Sequence, residues 1–267
     1  MIAKILFPVD FSPACSAMAA YVKRAADMFG ARVTLIHVCD LASHNGFELY
    51  VRSLREIAKE HMVIAEEGLR SFLKSQFPDS ERVLRSGEAA HEIAQVARIG
   101  EFDLIVMPTH AGRFRRMLLG STTAKVLNDA DCLVMTTQHA EGGVPRPLEH
   151  RVWVCAIGLS EDSERVLRVS SSEAAAVGAR LSLVHVTGED SVDEARGRLE
   201  NLVFAAGRDA EIQIATGPVK AAILTATYQS AADALILGRR LPGGGFGRMR
   251  DLTYSLIRDS PVPVLSV

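Results

Sequence analysis

One stretch of this chain combines residue types suited to holding an anion. Residues 108–123 read PTHAGRFRRMLLGSTT. Gly120-Ser121 opens a helical pattern, and the first amides of a helix point outward with no partner inside it. The helix dipole adds positive potential at the same end, so a phosphate is favoured there. Ser121, Thr122 and Thr123 bring hydroxyls, and Arg113, Arg115 and Arg116 bring charge to the preceding loop. His110 lies in that loop and is a further donor. Together these residues describe a phosphate cradle; a capped helix behind a solvated basic loop is the competing reading. A second stretch, Pro8-Val9-Asp10-Phe11-Ser12, places a carboxylate just after an apolar run. Asp10 there can accept hydrogen bonds from a ribose or an adenine amine, or simply assist the helix cap at Ser12.

Other chemistries lack their residues. No GxxxxGK[ST] loop occurs, and no GxGxxG follows the first apolar run, which disfavours P-loop and ordinary dinucleotide binding. No SGGxDS-like or HxGH-like loop is present. Asp10 stands alone, whereas a receiver domain needs paired acids. His37 and His185 close equivalent apolar runs, without the local Cys/His spacing of a zinc site. The four cysteines, Cys15, Cys39, Cys132 and Cys155, form no CxxC pair and read as reduced, mostly buried thiols of a cytoplasmic protein. Cys15, near a helix start, could have a lowered pKa, but nothing beside it completes a catalytic pair.

The elements that must position these residues occur twice. GARVTLIHV at 30–38 matches GARLSLVHV at 178–186 in six of nine positions. DLIVM at 103–107 resembles DALIL at 233–237, and KVLNDADCLVMTT at 125–137 aligns with SLIRDSPVPVLSV at 255–267. The second copy is shorter between His185 and Gly217 than the first is between His37 and Gly87. The Gly- and Pro-rich segment 141–149 reads as a linker between a first domain, 1–140, and a second, 150–267.

Each copy alternates short apolar runs with longer helical patterns, the mark of βαβ units and a parallel sheet. In the first copy strands are expected at 3–9, 32–39, 82–85, 104–107 and 132–137. In the second they are expected at 152–157, 180–187, 211–216, 234–237 and 262–267. Helices are expected from Ser12-Pro13 to Gly30, over 47–77 with a break at Gly68, over 87–99 and over 121–130, with a shortened second helix at 192–206 in copy two. The fold class is therefore α/β: two tandem doubly wound five-stranded parallel sheets. Such sheets bind ligands beyond the carboxyl ends of the strands, where strand order reverses.

Composition agrees. The chain has 267 residues, 48 % hydrophobic and 23 % charged, and a formal net charge of −2. It is a globular chain without the basic excess that nucleic-acid binding needs. Aromatic residues are 6 % of the total, too sparse for single-strand stacking platforms. No run reaches the ~18 apolar residues of a membrane span, and no secretory leader is read at the N-terminus.

PVDFS at 8–12, LIHV at 35–38, LIVMPTH at 104–110 and LLGSTTAKVL at 118–127 resemble the universal stress protein family. The resemblance covers essentially the whole chain, with copy one the better match. It implies the α/β fold of adenine nucleotide alpha hydrolase-like proteins, two such domains packed as an intramolecular pseudo-dimer through the last strand of each, and a homodimer as a further option. It also implies ATP or a related adenine nucleotide with its associated magnesium, since many members bind ATP through G-xx-G-nine residues-G-[ST]. Others lack that loop and bind none. Carried over, Pro8, Val9 and Asp10 would meet the ribose or adenine, and Val38 the adenine edge. Met107, Pro108, His110, Ala111, Gly120, Ser121, Thr122 and Thr123 would surround the phosphates.

The chain departs from that pattern. Pro108 and Ala111 stand where the first two glycines belong, and eight residues rather than nine separate Ala111 from Gly120. Proline offers no N–H, and alanine restricts close approach. Copy two departs further: Gly158 matches Asp10, and Arg250-Asp251 match Gly120-Ser121. The nucleotide site is expected in copy one alone; Arg239, Arg240, Arg248 and Arg250 read as a solvated basic loop, with contact to an anion as the lesser option. The alternatives are a nucleotide-independent interaction protein and a slow ATPase or phosphotransfer protein.

Overall fold

A computed structural model describes residues 1–39, 54–109, 119–137, 150–239 and 248–267. The segment 141–149, and with it the expected domain boundaries, lies in or beside residues outside this set.

Copy one runs β1 (Lys4–Pro8), α1 (Pro13–Phe29), β2 (Arg32–Cys39), α2 (Leu54–Ser71), β3 (Glu81–Ser86), α3 (Ala89–Ile99), β4 (Leu104–Pro108), α4 (Ser121–Asp129) and β5 (Leu133–Thr137). Copy two runs β6 (Val152–Ala156), α5 (Ser163–Ala176), β7 (Arg180–Thr187), α6 (Val192–Ala205), β8 (Glu211–Thr216), α7 (Val219–Gln229), β9 (Ala234–Leu237), α8 (Arg248–Asp259) and β10 (Val264–Ser266).

All strands join one ten-stranded sheet in the order β3-β2-β1-β4-β5-β10-β9-β6-β7-β8. Pairing within each copy is parallel, and only the central β5–β10 pair is antiparallel, with Met135 opposite Leu265. The two copies therefore pack as the expected pseudo-dimer, edge to edge through their last strands.

The buried strands are nearly continuous apolar runs because helices cover both faces. Ile5 and Phe7 point into a core under α1, α2, α5 and α6, while Leu6 points into the opposite core under α3, α4, α7 and α8. Both cores draw residues from both copies. Phe29 of α1 packs edge-on against the fully buried Trp153 of β6, ring centres 6.4 Å apart.

Asp103 accepts from the amides of Ala3 and Lys4 at 2.8 and 2.9 Å. Its counterpart Asp233 accepts from Arg151 and Val152 at 2.7 and 3.0 Å. A charge-assisted pair of bonds thus fixes where β1 and β6 begin.

Local signals behave as the residue types dictate. Ser12 caps α1 by accepting from the Cys15 amide, Pro13 opens the helix, and Gly30 closes it in a left-handed conformation at φ 65°. Gly68 does not break the second helix: α2 runs through it to Ser71. A Cβ there would stand 3.3 Å from the Phe11 ring, so that glycine makes room for an aromatic rather than ending a helix. The last strand is shorter than expected, because it begins only after Pro263, which has no amide to donate.

Candidate functional site

Strand order reverses between β1 and β4 in copy one, which places the loops after these two neighbouring strands side by side. The β1 loop is tightly built. The Val9 amide donates to Ile36 O at 2.8 Å, and Val9 O meets His37 Nδ1 at 2.7 Å. Asp10 is exposed, and its Oδ1 accepts from the Ser12 amide at 3.0 Å. Partial burial pushes its pKa up, but hydrogen bonds from Ser12 outweigh that and leave it below the usual aspartate value. Asp10 thus assists the turn ahead of the cap while presenting an ionised carboxylate at the surface.

Phe11, not singled out from the sequence, shapes the same corner. It adopts φ 60°, a costly conformation for a bulky residue. Its ring stacks on His37 with centres 4.2 Å apart and meets Phe72 edge-on at 5.3 Å. These contacts offset the backbone strain and cover the carboxyl ends of β1 and β2. The signal was an aromatic between a turn aspartate and a cap serine.

The helix start does not activate Cys15. It is buried, its thiol lies 3.6 Å from Pro8 O, and burial followed by the Asp10 charge pushes its pKa up to about 12. Desolvation outweighs the helix start, so it is not an activated thiol.

On the β4 side, Met107 is buried in the core, so only its backbone faces the loop. Gly120 precedes α4 in an extended conformation and offers no capping side chain, while its amide donates to Thr109 O at 2.8 Å. Ser121 is exposed and Thr122 half-exposed at the first turn. Thr123 is buried, and its hydroxyl donates to Pro108 O at 2.9 Å. It ties α4 to the end of β4, leaving only its backbone for an anion. Val38 lies partly buried against the core at the end of β2. His110, Ala111 and the arginines at 113, 115 and 116 lie outside the described residues.

Copy two has a cavity at the equivalent strand ends but not the polar groups of copy one. A cavity of about 160 Å³ lies at the carboxyl ends of β6, β7 and β9, lined largely by Ala156, Val184, Val186, Ile223, Leu237 and Leu252. Gly158 stands at the position of Asp10, and Asp251 lies exposed in the first turn of α8. His185 Nδ1 meets Ile157 O at 2.8 Å, repeating the His37 contact. Both histidines therefore secure strand ends. Arg239 is not poised for an anion; its guanidinium donates to carbonyls of copy one. Arg240 lies outside the described residues.

The sequence model of the universal stress protein family matches residues 1–138. A universal stress protein of Archaeoglobus fulgidus is 24 % identical over 98 % of this chain and 97 % of its own, with a TM-score of 0.72. A putative universal stress protein of Pseudomonas aeruginosa is 15 % identical over 100 % and 93 %, with a TM-score of 0.62. A universal stress protein solved in complex with cAMP matches 44 % of this chain and 95 % of its own, at 23 % identity and a TM-score of 0.38. Comparison with the curated proteins gives no match.

Proposed function

The chain belongs to the universal stress protein family. From that premise we propose that it is a cytoplasmic stress-response regulatory protein that binds one adenine nucleotide, ATP or a close relative, in its first copy without turning it over. The observation that carries this reading is the contrast in polarity between the β1 loop and the start of α4, which flank the point where strand order reverses. Asp10, held ionised by Ser12, supplies an acceptor on one side. The start of α4, with Gly120 as its cap and Ser121 exposed, supplies amide donors and positive dipole potential on the other. A nucleotide has the matching asymmetry, with hydroxyls and an amine at one end and phosphates at the other.

The residues present fit such a ligand in part. The first-turn amides and hydroxyls of Ser121 and Thr122 provide the second half of a phosphate cradle behind Gly120, whose own amide is engaged by Thr109 O, while Pro108 has no amide for the first half and its carbonyl is engaged by Thr123. Magnesium would accompany the nucleotide's phosphates. Copy two reverses both features, with Gly158 in place of the acceptor and Asp251 in place of the exposed serine, which supports a single site. Binding without turnover follows from the carboxylate supply. Among the described residues of these two loops the acid is Asp10, on the ribose side, and nucleotide hydrolysis needs a group that orients water at the far phosphate.

Calorimetric titration of the full chain with ATP, ADP and AMP tests this. One site per chain is expected, weakened by Asp10→Ala. Two equal sites would refute the assignment to copy one. No heat with any nucleotide favours a nucleotide-independent interaction protein, and ADP accumulating on long incubation favours a slow ATPase.

A further inference from the structure

The second copy reaches into the first at the helix that carries the exposed Ser121. Arg239 follows β9, and its amide donates to Val267 O at 2.9 Å, just as the Thr109 amide after β4 donates to Thr137 O at 3.2 Å. The two positions are structural equivalents, but their side chains diverge. Thr109 Oγ1 stays within its own copy, 3.4 Å from Thr137 O. The Arg239 guanidinium crosses the β5–β10 junction. Its Nη1 donates to Leu127 O at 3.2 Å and to Ala130 O at 2.9 Å, and its Nη2 donates to Cys132 O at 2.5 Å.

Those carbonyls belong to the last turn of α4 and the step into β5. A helix leaves its last carbonyls without internal partners and carries partial negative charge at that end. A planar guanidinium with several fixed donors meets both needs at once. Copy two touches α4 a second time, through Tyr254 of α8, whose hydroxyl donates to Ala124 O at 3.2 Å. Being only nine residues long, α4 spans roughly 13 Å, so a clamp at its end also sets the placement of its start.

We propose that Arg239 is a positioning residue for the anion-binding end of α4, and that the second copy serves as the arm that holds the first copy's site in register. Among the described residues the clamp runs one way: the copy with Gly158 and Asp251 supplies it, and the copy with Asp10, Gly120 and Ser121 receives it. This rests on the nucleotide reading of copy one for its consequence, but not for the clamp itself.

The test uses the full chain with Arg239→Gln and Arg239→Lys, read by ATP calorimetry and by amide hydrogen exchange without ligand. Arg239→Gln is expected to weaken ATP binding about tenfold and to speed exchange across Ala124–Asp129 about tenfold, with α8 amides unchanged. Arg239→Lys keeps the charge but loses the fork, and is expected to fall between the unaltered chain and Arg239→Gln, weakening ATP binding and speeding α4 exchange each about threefold; it is the variant that decides if Arg239→Gln fails to fold. Unchanged affinity and unchanged α4 exchange would overturn the proposal, as would faster exchange spread equally over both copies. If the unaltered chain binds no ATP, the nucleotide reading falls and α4 exchange alone decides the clamp.

Discussion

Replacing Ser121 with Asp should move two measured quantities in opposite directions. The side chain at 121 is exposed in the first turn of α4, directly after the uncapped Gly120. A carboxylate there complements the helix dipole and is worth about 0.3–1 kcal/mol of added helix stability. The same carboxylate would confront a phosphate held by the first amides. Two unit charges about 4 Å apart repel by about 4 kcal/mol at an effective dielectric of about 20. Solvent at this exposed position screens part of that. A net loss of about 2 kcal/mol, about thirtyfold in affinity, remains. Ser121→Ala, which removes only a hydroxyl, should cost about 1 kcal/mol. Thermal melts and ATP calorimetry on the same samples separate the effects. Wild-type affinity in a folded, equally stable or more stable Ser121→Asp chain would show that no phosphate sits at this helix, and the assignment of the site would fail.

The remaining predictions concern buried groups. His150 is buried, with Nδ1 accepting from Trp153 Nε1 at 2.7 Å, and burial, partly opposed by the Asp233 charge, lowers its pKa. The unfolded chain then takes up the proton first, so stability should decline as pH falls below about 6.5, the ordinary histidine value; denaturant midpoints from pH 8 to 5 should flatten in His150→Gln over that range, and an unchanged slope would exclude His150 as the cause. Burial pushes the thiols of Cys132 and Cys155 up to about 11 and that of Cys15 to about 12. The native chain should therefore react slowly with a thiol reagent at pH 8 and rapidly once unfolded, and a fast native phase assigned to Cys15 by mass spectrometry would contradict its burial.

Much of the architecture was legible because its causes are local. The duplication is written in 30–38 and 178–186, and β2, β7 and β9 occupy the expected residues because strands covered on both faces need largely unbroken apolar runs, while the edge strand β8 shows the alternation of a half-covered one. Ser12, Pro13 and Gly30 mark the ends of α1 through capping and backbone preferences that need no distant partner. The pairing of the terminal strands was anticipated from family resemblance, while the register, Met135 on Leu265, came from the folded structure.

Other features depend on groups far apart in the chain. Gly68 read as a helix break because its role is to clear space for Phe11, a contact across more than fifty residues. The helix position of Cys15, which is local, left a lowered pKa open, and its burial under the sheet, which is not local, closed that option. Arg239 read as a surface cation because its acceptors, Leu127, Ala130 and Cys132, are carbonyls on the other copy. The sequence by itself determined which elements form and where they end, since propensity, capping and burial periodicity act within a few residues. Which polar side chains were free to face a ligand was decided only by the tertiary fold, within copy one for Cys15 and Thr123 and across the two copies for Arg239, because a hydrogen bond or a desolvated thiol is set by whatever the fold brings beside it.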